Sequence, residues 1–550
     1  MTAPKARRVS PHLVWWGLAA LPLAYLALFF VWPLATVMWR GLTDDGAFRL
    51  DLAAEALTTS HTLKAIGTTL LLAAAGTLGS VVLGAPAAYA LFRLRWRGVG
   101  FARAAASVPF VLPTVVVAAA FSALVRRGGP LAWTGLDQSM WIIVAALVFY
   151  NTSVVMRIVG GAWAGLDPGR VSAARTLGAS RLAAFRHVTL PALGPALASA
   201  ASLAFLFCAS SFGIVLVLGG SRVATIETEI YLQVNQFLDL RTAALLSLVQ
   251  LVIVGITLWA TDRARRARER SAPARRIDGT RLATRRDAPA VIAALAALLV
   301  INGVPMIALV ERSLRSSSGY SFKYYRALAE TPARGLLPEP VLVAAWHSLT
   351  VAAVATVIAS VLGLLIAHLV THRSGRATLL DAVMVFPVGV SAVMIGLGLL
   401  LTLNRNVVGF DLRASWWLVP IGQSLVALPF VTRTLVPAAR AIDDRLRSAA
   451  AALGASPVKV WALIDWPLLA RPFGVAVGFA AAIALGEFGA TAFLARPDAP
   501  TLPTAIVRLL GRPGADNVGM AFAAAVLLAA VTGAIMFAAE HFRRIGEAEL

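Results

Sequence analysis

The chain is 550 residues long, 59% hydrophobic and only 14% charged, with a formal net charge of +22. Such a composition excludes an ordinary soluble protein. Apolar runs of about 20 residues recur throughout, enough to cross roughly 30 Å of hydrocarbon as helix, and the ten-residue alternation of a membrane barrel is absent.

Twelve spans are predicted in chain order. The first six fall near 13–37, 65–92, 104–125, 140–165, 194–218 and 242–261. The first is too long for a signal-peptide core and lacks a small-x-small cleavage site, so it is read as a membrane anchor. The lone cysteine, Cys208, lies inside the fifth, where it packs as a small hydrophobe and excludes an intrachain disulfide. Six more spans follow near 289–310, 343–370, 379–403, 416–438, 472–495 and 518–539. With the N-terminus inside, the cytoplasmic segments hold 30 of the 49 Lys and Arg, ten of them in the connector 262–288. Short basic loops mark the inner side, so both termini are assigned to the cytoplasm, lipid is the expected surrounding, and no nucleic-acid partner is expected. The connector reads as a flexible link. The expected organisation is a first half 1–261 (core 63–261), a basic cytoplasmic linker 262–288 and a second half 289–550 (core 343–539).

One stretch occurs twice. Asp167–Leu193 reads DPGRVSAARTLGASRLAAFRHVTLPAL, and Asp443–Leu469 reads DDRLRSAAAALGASPVKVWALIDWPLL. The alignment extends at the same offset: Arg157 matches Arg433, Ser211-Phe212-Gly213 matches Glu487-Phe488-Gly489, and Thr225 matches Thr501. Val82-Leu-Gly answers Val361-Leu-Gly at a slightly larger offset, whereas spans 1 and 7 share little and look like added outer helices. An even number of spans separates the copies, which makes a parallel repeat of two six-helix halves in an all-α polytopic membrane protein.

Each copy spells two short helices joined by a bend. Asp167 and Asp443 suit an N-cap, and Pro168 suits the first helical position. Gly178 and Gly454 suit a left-handed stop, and Ser180 and Ser456 can cap the second helix. Pro191 and Pro467 are expected to mark the turn into the next span.

The spacing Ala-Ala, three residues, Gly, nine residues, Ile or Val, two residues, Pro resembles the cytoplasmic signature of permease subunits of binding-protein-dependent ABC importers. It is present as Ala173-Ala174, Gly178, Val188, Pro191 and as Ala449-Ala450, Gly454, Ile464, Pro467. Two such halves in one chain are similar to the fused thiamine and ferric-iron permeases. The stretch from Leu218-Gly-Gly through Thr225-Ile-Glu to Ile230-Tyr231 looks like the thiamine branch, and Leu485-Gly-Glu-Phe-Gly-Ala fits either. The chain departs from the pattern at Ser172 and Ser448, where the family usually has Glu, and at Trp466, where Leu usually precedes the proline. The resemblance implies a type I importer permease fold of a bacterial inner membrane. It also implies two ATPase subunits beneath the two elbows and an external solute-binding protein.

The chain has no G-x-x-x-x-G-K-[ST] loop, and none of Lys5, Lys64, Lys323 and Lys459 follows a glycine. No cofactor and no enzymatic activity is therefore expected of this chain, ATP being bound by partner subunits. Glu487 is the acid placed deepest in a span. With Ser211 and the two Phe-Gly pairs it is expected to line the translocation path and favour a cation, or alternatively to serve packing alone. Arg157 and Arg433 are expected to snorkel. Loops 219–241 and 496–517 read as docking or gate surfaces, or simply as solvated loop. The seven histidines are scattered, and the helical pair His368 and His372 has no nearby acid or cysteine, so no metal site is expected. The rival reading is an ion-gradient-driven transporter of two six-helix halves, which predicts broken helices and paired intramembrane acids. A membrane enzyme would need a catalytic cluster that the sequence does not offer.

Overall fold

The computed structural model describes residues 11–44, 47–271, 279–317, 319–332, 336–371, 390–403 and 415–545. Ten helices there are long and apolar enough to cross a membrane, and a bent pair makes an eleventh candidate. The bent pair is Val99–Phe110 with Thr114–Val125, turned by 97° where one continuous third span was expected. Pro109 and Pro113 account for the break, since neither donates a backbone hydrogen bond and Pro113 disfavours helix at Leu112. The expected ninth span lies partly outside the described residues, as does His372; its described part is the apolar helix Ala392–Thr402.

The chain folds as two compact units that do not follow chain order. One comprises Met1–Trp39, Leu342–Thr504 and Ala530–Leu550; the other comprises Arg40–Val341 and Ala505–Ala529. In the first of these, the N-terminal helix is held by second-half residues: the Tyr25 hydroxyl bonds Ser424, and Gly398 leaves room for Pro33. In the other, the helix Arg285–Leu314 packs with first-half residues, and Arg312 donates to the Arg127 carbonyl at 3.0 Å.

Each unit repeats one core contact. A Cβ on Gly84 would lie 2.8 Å from the Val155 Cβ, and one on Gly363 would collide with Val431. The duplicated Val-Leu-Gly therefore exists to let two long helices approach closely. Arg157 and Arg433, by contrast, are both exposed on their helices, as snorkelling requires.

The described parts of the connector are more ordered than a flexible link. The helix Leu240–Ser271 runs on into it, and Gly279–Asp287 is strapped to its own unit. The Gly279 amide donates to the Ala164 carbonyl at 2.7 Å, and Arg281–Leu282 pairs in parallel with Leu94–Arg95. Residues 272–278 lie outside the described residues.

Candidate functional site

The two elbows have the same local construction. In the first, Asp167 accepts from the Gly169 amide at 2.8 Å and starts the helix Pro168–Thr176. Gly178, at φ +90°, ends it: the Gly178 and Ala179 amides donate to the Arg175 and Ala174 carbonyls. Ser180 then caps the second limb by accepting from the Ala183 amide at 3.1 Å. In the second elbow Asp443 caps through the Arg445 amide at 2.9 Å, and Gly454 stands at φ +84°. The Gly454 and Ala455 amides return to the Ala451 and Ala450 carbonyls, and Ser456 accepts from Lys459. Two paired carbonyls and a left-handed glycine form a Schellman stop, so neither bend depends on an outside partner for its backbone bonds.

The second limb differs from expectation in both copies. It does not turn at Pro191 or Pro467 but continues into the span as one helix, Arg181–Ala209 and Pro457–Gly486. One widened turn precedes each proline, with the Leu190 amide reaching back to Phe185 and the Trp466 amide to Trp461. The wider turn accommodates a residue without an N–H, so proline modifies the helix instead of ending it.

Both elbows leave apolar side chains uncovered. Leu177 and Leu453, beside the two glycines, are 89% and 90% exposed, and Leu182 and Val458 are 74% and 75% exposed. Ser172, Ala173, Ser448 and Ala449 are also exposed, while Ala174 and Ala450 are half-buried. Matched leucines at the tips of two polar bends form a duplicated apolar contact surface.

The bracing beneath the elbows is not duplicated. Where the first has Val171 and Thr189, the second has Arg447 and Asp465. The Arg447 Nε donates to Asp465 at 2.8 Å, and its Nη1 donates to Asp444 at 2.5 Å. Burial pulls the Arg447 guanidinium down, but the hydrogen bonds to Asp465 and Asp444 outweigh it and hold it above its ordinary value. Under the first elbow, Arg93 donates to the Leu166 carbonyl at 2.8 Å, next to the docked Gly279.

At the opposite ends of these spans both halves break. The helix ending at Ala209 restarts at Gly213, with Ser211 and Phe212 in the gap; that ending at Gly486 restarts at Thr491, with Glu487, Phe488 and Gly489 in the gap. Fifth and eleventh spans expected to be continuous are therefore interrupted at equivalent points. Glu487 is buried and caps the restarted helix. It accepts from the Ala490 amide at 2.8 Å, the Thr491 amide at 3.0 Å and the Thr491 hydroxyl at 2.6 Å. Gln423 donates to that same hydroxyl. A Cβ on Gly489 would lie 2.9 Å from the Ala392 Cβ, so the glycine admits the neighbouring helix. Ser211 is buried with an unpaired hydroxyl, and Phe212 packs on Tyr231 with ring centroids 5.4 Å apart.

The segments 219–241 and 496–517 are not solvated loops throughout. Short helices Ile226–Leu232 and Leu502–Leu510 occupy them, and Thr225 and Thr501 are buried. The Ile226 amide donates to Thr69 at 2.9 Å, and the Leu502 amide donates to Ser348 at 2.7 Å. A hydroxyl from the second helix of each half thus pins this short helix, a duplication whose one sequence signal was the matching Thr225 and Thr501. Glu227 and Glu229 are also buried, whereas Asp498 is exposed and paired with Arg496.

Residues 80–269 match the family described as "Binding-protein-dependent transport system inner membrane component". Over those residues the chain carries the permease domain of binding-protein-dependent ABC importers. The fold that this domain implies is that of a type I importer permease. Relatives match nearly end to end. The probable ABC transporter permease protein y4fN of Sinorhizobium fredii is 26% identical over 98% of both chains. The thiamine transport system permease protein ThiP of Brucella abortus is 27% identical over 96% of this chain and 97% of its own. Among solved structures, a bacterial ABC transporter involved in the import of the acidic polysaccharide alginate aligns at 17% identity with a TM-score of 0.40. That alignment covers 46% of this chain and 96% of that one.

Proposed function

We propose that this permease carries thiamine, or a closely similar organic cation, across a bacterial inner membrane, with both termini and both elbows in the cytoplasm. An external solute-binding protein delivers the solute. Two ATPase subunits, which bind the ATP, dock one to each elbow and drive alternating access. The observation that carries this reading is the repeated, self-capped bend with an uncovered leucine at its tip, the form a helix needs to seat in an apolar groove of a partner. Ser in place of the usual acid at 172 and 448 leaves that docking to shape and apolar contact. Thiamine is favoured over ferric iron because full-length relatives are named as thiamine permeases. Ser211 and Glu487 with their Phe-Gly neighbours line the path at the two helix breaks, an arrangement that suits a solute pathway near the middle of a membrane.

Broken helices are also what the ion-driven rival predicts, so the test must separate energy sources. The chain is reconstituted in liposomes with and without its co-expressed ATPase and binding protein, and uptake of labelled thiamine is followed. Uptake that requires both partners and ATP supports the reading. Uptake by the isolated chain under an ion gradient overturns it, and ATP-dependent uptake of another solute overturns the thiamine assignment alone.

A further inference from the structure

Arg447 lies in the first limb of the second elbow, in the helix Asp444–Ala452, and Asp465 lies in its second limb, one turn before the span proper. Their side chains are 14% and 3% exposed, and the Nε to Oδ1 distance is 2.8 Å. The other oxygen of Asp465 is buried without a hydrogen-bond partner, so Arg447 is the cation that compensates this carboxylate. Removing either partner would leave an uncompensated buried charge or a vacated cation site. The bond spans the bend itself: it ties the limb carrying Leu453 to the helix that continues through Trp466 and Pro467 to Gly486. The equivalent first-half positions, Val171 and Thr189, cannot form it.

We infer that Arg447 and Asp465 are a positioning pair that locks the second elbow to its following span, so that the second half transmits the partner's stroke through a side-chain lock that the first half lacks. The physical basis is simple. A capped bend fixes each limb's helix ends but leaves the angle between limbs to whatever crosses it. In the second elbow a buried, charge-assisted hydrogen bond crosses it. The lock's role in import rests on the importer reading above; its effect on elbow rigidity does not.

Two measurements on the full chain test it. Hydrogen exchange of amides 444–452 is compared with that of 168–176 in the wild type, R447A and D465N. Exchange in the second elbow is expected to rise about tenfold in both variants, with the first elbow unchanged. Import per ATP hydrolysed, measured in the reconstituted complex, is expected to fall about fivefold at normal ATPase co-purification. The charge-swapped R447D/D465R chain should restore both readouts to within about twofold. Unchanged exchange in both single variants overturns the lock. Raised exchange with wild-type import per ATP overturns its role in coupling. Should R447A fail to reach the membrane, the swapped chain decides: recovery supports the pair, and none overturns it. A wild-type complex without ATP-driven import would sink the importer reading, while the exchange comparison still decides the lock.

Discussion

The two elbows share every backbone device and differ in what holds them. Asp caps, left-handed glycines, Schellman stops and Ser caps recur at equivalent positions, whereas the first elbow leans on Arg93 and the docked strap at Gly279, and the second on the Arg447–Asp465 pair. What a duplicated segment keeps is the shape offered outward; what it is free to change is the inner support. Leu177 and Leu453 occupy equivalent places, as the proposed docking of one kind of partner to both elbows requires. Val171 and Arg447 also occupy equivalent places but differ in chemistry, and of the two only Arg447 can bond the Asp465 carboxylate.

The strongest way to break this comparison is at the shared feature. Leucine at both Gly178 and Gly454 forces a side chain into a left-handed conformation at about 1–2 kcal/mol per site. It should abolish import and ATPase co-purification, whereas uptake near the wild-type rate would show that the bends are not the coupling surface. Next in size is Glu487→Gln, which weakens a carboxylate cap that accepts three hydrogen bonds. We expect a loss of about 1–3 kcal/mol, read as a lower unfolding midpoint in detergent. Wild-type uptake at normal membrane levels would confine Glu487 to that structural task and remove it from the path. A smaller, one-sided effect is expected of Gly279→Val, whose side chain would collide with Arg93 and the Leu166 carbonyl. It should release the strap, raise exchange in 168–176 alone and lower uptake about threefold, about 0.65 kcal/mol at 298 K. Equal exchange changes in both elbows would contradict separate bracing. Smallest are Asp167→Ala and Asp443→Ala, each expected to cost about 0.5 kcal/mol of local helix stability, and equally, because the two caps have the same geometry.

Local chemistry made the elbows legible in the sequence, since a cap, a left-handed glycine and a serine act within a few residues of themselves. Pro191 and Pro467 misled because proline can be absorbed by one widened turn when the helix on both sides is held by the span. The breaks at Ser211 and Glu487 were hidden inside apolar runs, where hydropathy is blind to whether a helix continues. Glu487 stood out as a costly charge, but its partners, the Thr491 hydroxyl and two amides, follow it closely and were masked by the assumption of continuous helix. The hydroxyls of Thr69 and Ser348 left no trace at all, being ordinary residues until distant amides meet them.

The sequence by itself determined an all-helical membrane protein, its internal repeat and the form of its two bends, because hydropathy, periodicity and capping are local properties. Tertiary structure alone decided which unit holds the N-terminal helix, that the connector's end is strapped down, and that Arg447 finds Asp465. Those outcomes depend on contacts between residues far apart in the chain, where an unpaired buried charge or a missing close approach carries a cost that no local pattern records.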